Sequence, residues 1–155
     1  MAHFREVTRL RPENPHASYE AGLALVVSGN REQAIPFYRE AIRLNPGFPA
    51  ALNDLAWILA THPESKVRNG AEAVKLARRA CELSSNAETR FLGRLDAALA
   101  ENGQFEAAIQ TATQVRQQAL FRGEADLARA AEERVALYQA KKPFRQVEQL
   151  SRKNN

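Results

Sequence analysis

Three histidines, one cysteine and two arginines one helical turn apart are the side chains of this 155-residue chain whose types and spacing bear on chemistry. His3, His16 and His62 fall in three separate segments, with no cysteine or carboxylate at the spacings that close a metal site. His16 and Glu20 share a helix face, yet two groups do not make a zinc site, so no metal and no cofactor is expected. Cys81 has no assignable base and reads as a half-buried filler rather than a nucleophile. There is no glycine-rich phosphate loop, and no catalytic residue is assigned. Arg90 and Arg94 differ: guanidinium groups four residues apart on a helix can both face one carboxylate. The chemistry on offer is recognition, and the chain reads as non-enzymatic.

Those side chains are carried by helices. The sequence is rich in Ala, Leu, Glu, Arg and Gln, which favour helix, and poor in the β-branched and aromatic residues that favour strands. Its 45 % apolar content is enough for a buried core. No apolar run reaches the roughly 20 residues of a membrane span, and MAHFREVTRLRPENP lacks a signal-peptide core. A single cysteine forms no internal disulfide, which suits a reducing compartment, and a cytoplasmic location is expected. The net charge of +4 sits entirely in residues 141–155, where five basic residues face the one acid Glu148. The rest of the chain is formally neutral, which argues against a nucleic-acid partner. That tail reads as a solvated end.

A repeat organises the rest. Tyr38, Ala41, Leu44 and Pro46 stand 34 residues beyond Phe4, Val7, Leu10 and Pro12, in the same roles. Residues 1–14 then form a partial repeat, its second helix only, and 15–48 form repeat 1. Asn14, just before repeat 1, and Asn30 within it are helix caps, and Pro36 is expected to kink or loosen the start of its helix. Repeat 2, residues 49–86, places Leu52, Leu55, Ala56 and Leu59 at the same step from Ser18, Ala21, Gly22 and Leu25. The register then slips by five residues, and 62–69 is expected to be an extended loop before Asn69 recaps the chain. Repeat 3 covers 87–121, a charged capping helix 122–142, and a basic tail 143–155.

The spacing Ser18-x2-Ala21-Gly22-x2-Leu25, then Ala34-x3-Tyr38 and Pro46, resembles the tetratricopeptide repeat. Leu52-x2-Leu55-Ala56-x2-Leu59 with Ala73-x3-Ala77, and Leu92-x2-Leu95-Asp96-x2-Leu99 with Ala108-x3-Ala112, follow the pattern more loosely. Asp96 stands where a small residue normally lets two helices touch. The stretch from Leu52 to Leu83, with ALYQAKKPFR, is also similar to the carboxy-terminal end of certain bacterial tetratricopeptide proteins. The resemblance implies an all-α, right-handed α-α superhelix, a solenoid closed by a C-terminal capping helix. It further implies a non-catalytic scaffold that binds a peptide or partner protein in a concave groove. The alternative is the non-catalytic arm of a larger enzyme such as a bacterial glycosyltransferase.

In that family the first helix of each pair lines the groove. The corresponding positions hold His16, Tyr19, Glu20, Leu23 and Val27, then Ala50, Asn53, Asp54, Trp57 and Thr61, then Arg90, Gly93, Arg94, Ala97 and Glu101. Arg90 and Arg94 resemble the basic half of the carboxylate clamp of chaperone-binding members, although Tyr19 and Leu23 replace the lysine and asparagine of a full clamp. The asparagine ladder of sugar-transferase members is replaced by Glu20, Asp54 and Arg94, with Asn53 one residue off. Trp57 fits either a peptide-stacking anchor or inter-helix packing. The open amino-terminal edge, carrying Phe4, Val7 and Leu10, predicts homo-oligomer contacts or fraying.

Overall fold

A computed structural model describes residues 13–84 and 89–146. Among these residues the chain folds into seven α-helices and no strand. They are α1 (Pro15–Val27), α2 (Arg31–Leu44), α3 (Pro49–Thr61), α4 (Gly70–Leu83), α5 (Thr89–Glu101), α6 (Phe105–Phe121) and α7 (Ala125–Gln139). Each helix packs on the next, and α3 also packs on α5 across the intervening α4. Connections this short between helices in contact make antiparallel neighbours. The product is an all-α helical-repeat solenoid, in which α1, α3 and α5 are the first helices of successive pairs. The partial repeat expected over 1–14, and the oligomer contacts read from Phe4, Val7 and Leu10, fall largely or wholly outside the described residues.

Local sequence accounts for where these helices start and stop. Asn14 caps α1, its Oδ1 accepting from His16 N–H at 2.9 Å, with Pro15 in the first turn. Asn69 caps α4 the same way, accepting from Glu72 N–H at 3.0 Å, while its Nδ2 donates to the Glu72 carboxylate at 3.2 Å. Asn30 does not cap α2 with its side chain; Gln33 N–H bonds the Asn30 carbonyl instead, and Asn30 Nδ2 turns back to Ser28. Helix α2 runs on through Pro36, which has no backbone N–H to donate there. At the close of α1 and α5, Gly29 and Gly103 take left-handed φ of 84° and 77°, and Asn30 and Gln104 donate back to the Leu25 and Leu99 carbonyls.

Small residues let the helices approach. Ala34, Ala56, Ala73, Ala77, Ala108 and Ala112 are all 0 % exposed. Tyr38, also 0 % exposed, fills the space left by the missing side chain of Gly22, where a Cβ would stand 2.6 Å from the tyrosine ring. The 62–69 connection is less extended than expected. It contains a 3-10 turn, Ser65–Val67, and Val67 is buried. Arg68 Nη1 donates to the His62 and Pro63 carbonyls at 2.8 and 2.7 Å, and Asn69 N–H bonds the Leu59 carbonyl at 2.9 Å.

Asp96 shows why a carboxylate tolerates the helix contact meant for a small residue. It is 0 % exposed and accepts from Arg134 Nε at 2.9 Å, Arg134 Nη2 at 3.0 Å and the Tyr138 hydroxyl at 2.8 Å. A Cβ at Gly93 would lie 3.3 Å from Arg134 Nη2, so the glycine makes room for the guanidinium. Helix α7 is therefore not a wholly solvated cap: Arg134 and Tyr138 are buried and bolt it onto α5. Burial lifts the Asp96 carboxyl to about 6, against the pull of Arg134, then Tyr138.

Candidate functional site

Residues on one face of α1, α3 and α5 meet across the helix stack. The Tyr19 hydroxyl donates to Asp54 Oδ2 at 2.9 Å, joining α1 to α3. Arg94 Nη2 lies 3.8 Å from Asp54 Oδ1, joining α3 to α5, and its guanidinium sits 4.4 Å over the Trp57 ring. Tyr19 is further held by the Phe48 ring, 5.0 Å away, and by Tyr38 at 5.7 Å. Burial, then the Asp54 carboxylate, pushes the Tyr19 phenol up to about 12, so it remains a donor. Burial lowers the Arg94 guanidinium from its ordinary value, with Asp54 opposing.

The structure does not treat the expected site residues alike. Tyr19, Asp54, Trp57 and Arg94 form one connected set. His16 and Glu20 are exposed, the His16 ring resting 4.8 Å from Phe48, and Leu23 is half-buried on the same helix. Asn53 is a correction: at 1 % exposure it is part of the helix stack and cannot meet a ligand without rearrangement. Arg90 is exposed at the start of α5, with its guanidinium 5.2 Å from the neighbouring Phe91 ring. Its charge acts on both Tyr19 and Arg94. The Arg94 side chain, 26 % exposed, has Asp54 and the Trp57 ring as neighbours.

Sequence reading missed a further component. After α7, Lys141 adopts a left-handed φ of 54° and the chain doubles back. The Phe144 ring lies 5.6 Å from the Trp57 ring, on the side chain that Arg94 also covers. Arg145 Nη1 is 2.6 Å from Glu101 Oε2 and 3.4 Å from the Ala60 carbonyl, and Gln146 N–H donates to the Thr61 carbonyl at 2.9 Å. The tail is thus not wholly solvated, since residues 143–146 are half-buried against α3 and α5. The available signal was the aromatic Phe144, directly after Pro143 in an otherwise polar stretch. A helix leaves its last carbonyls without intrahelical partners. Here Asn69 takes Leu59, Arg145 takes Ala60 and Gln146 takes Thr61.

Other candidate chemistry is not assembled. Among the described residues no three His, Cys, Asp or Glu side chains gather as a metal site. Cys81 is buried beside Leu52, Ala80 and Phe91, and burial raises its thiol, which disfavours the thiolate. Among the described residues no helix is long and apolar enough to cross a membrane.

No curated protein matches the chain at a significant level. Residues 2–49 and 19–88 match the family model described as tetratricopeptide repeat. With that match over more than half its length, and with its stacked helical pairs, the chain belongs to the tetratricopeptide-repeat family, whose repeats generally mediate protein–protein interactions.

Proposed function

We propose that this protein is a non-catalytic scaffold that holds a peptide or partner protein along the groove formed by α1, α3 and α5. The observation that carries the reading is the continuous string Tyr19–Asp54–Arg94–Trp57, which spans all three helices on one face. It pairs a half-buried aromatic with charged groups, the composition of an interaction hot spot. The mixed charge, Glu20, Asp54 and Glu101 beside Arg90 and Arg94, favours a protein ligand over a polyanion. Arg90, exposed at the start of α5, adds a second cation to this face.

The test is a photo-crosslinking residue placed at Leu23 in the groove and, separately, at Leu120 on α6, which is 59 % exposed. Partner adducts are expected from Leu23, and Trp57→Ala should abolish them. Adducts from Leu120 alone, unaffected by Trp57→Ala, would place the partner elsewhere.

A further inference from the structure

The segment Pro143–Gln146 makes the kinds of contact that a bound extended peptide makes. An aromatic side chain covers Trp57, a guanidinium bridges the Glu101 carboxylate and the Ala60 carbonyl, and a backbone N–H bonds the Thr61 carbonyl. Side-chain pockets that fix alternate residues while the main chain is hydrogen-bonded are how extended peptides are read. Two of the receiving side chains also have partners outside the segment. Glu101 is positioned by Arg68, whose Nε is 3.0 Å from Glu101 Oε1 and whose Nη1 is fixed on the 62–69 connection. Trp57 is oriented from its other neighbour by Arg94. With residues 143–146 in place Glu101 lies between two guanidinium groups, Arg68 and Arg145.

The geometry points to residues 143–146 as an intramolecular ligand that closes one end of the groove, and to a partner peptide carrying an aromatic residue followed by a basic one as its competitor. This rests on the groove being the partner site. An acidic peptide is disfavoured at this end, because it would meet Glu101 in place of Arg145. The tether sets the competition: a segment attached a few residues away acts at roughly millimolar effective concentration. A free ligand of the same chemistry reaches the site when the segment is displaced or its two anchoring side chains are removed.

Trp57 is the only tryptophan in the chain and reports directly on the site. The experiment compares the full chain with its Phe144→Ala/Arg145→Ala variant, and the probe is a fluorescein-labelled peptide of residues 141–146, KKPFRQ. The variant is expected to show red-shifted, more acrylamide-quenchable Trp57 emission. It should bind the probe at least about tenfold more tightly than the parent chain, and saturating probe should restore the emission. The control peptide KKPAAQ should do neither. Arg145→Gln, which keeps the aromatic contact, is the second variant should the first fail to fold; about a threefold gain in probe affinity is expected. Unchanged Trp57 emission in a folded variant, or equal probe binding by variant and parent, overturns the inference. If it is overturned while Trp57→Ala still abolishes partner crosslinking at Leu23, the groove reading stands and residues 143–146 are only structural. If Trp57→Ala leaves the partner unaffected as well, both fail.

Discussion

Arg134→Met should be among the most damaging substitutions in the carboxy-terminal half. Asp96 is wholly buried and takes two of its three hydrogen bonds from this guanidinium. Removing one partner of a buried ion pair costs about 3–5 kcal/mol, because the other charge is stranded away from water. Two features place the expectation near the lower end. Tyr138 still donates to the carboxylate, and Arg94 remains as a more distant cation. A loss of about 3 kcal/mol corresponds to a melting point lowered by about 6–12 °C for a chain of this size. Asp96→Leu/Arg134→Met removes both charges together and should lose clearly less than Arg134→Met alone. The assay is thermal and urea unfolding followed by far-UV circular dichroism. A single-variant loss below about 1 kcal/mol, or a double variant whose loss is the sum of the two singles, would refute the lock between α5 and α7.

The pH dependence of folding should carry the mark of the same carboxyl. Its ordinary value is 3.8 and burial lifts it to about 6, so between those values the folded state holds a proton that the unfolded chain releases. Stability measured against Asp96→Asn should therefore rise as pH falls from about 6 towards 4, and a fall over that range would show the sign to be wrong. Gly22→Ala would bring a Cβ to 2.6 Å from the immobile Tyr38 ring, and a loss of about 1–3 kcal/mol in urea unfolding is expected. Gly70→Ala meets the backbone of Asn102 at 2.8 Å, where no side-chain rotation can relieve it; a similar loss is expected, with red-shifted Trp57 emission if Glu101 moves with that turn.

The helices and their stacking were written plainly in the sequence, because they depend on local rules. Caps at Asn14 and Asn69 and the spacing of Ala34, Tyr38 and Ala41 each involve residues within a turn or two of one another. The groove was half visible. Helix periodicity places Tyr19, Asp54, Trp57 and Arg94 on matching faces, but it cannot say that Asp54 and Arg94 will lie against each other. Nor does it separate Asn53, turned into the stack, from Asp54 beside it. Two features were hidden because they join distant segments. Asp96 looked like a fault in the pattern until Arg134, 38 residues later, supplied its counter-charge. The basic tail looked solvated because the acid and carbonyls that receive Arg145 lie on α5 and α3.

Hydrogen exchange of the full chain, free and saturated with a partner recovered through the crosslink at Leu23, bears most directly on the groove as the binding surface. Added protection is predicted on the first helices of the pairs, around Tyr19 to Leu23, Asp54 to Trp57 and Arg90 to Arg94. Residues 142–146 should lose protection in the same sample. Protection confined to α2, α4 or α6, with those first helices unchanged, would contradict the account.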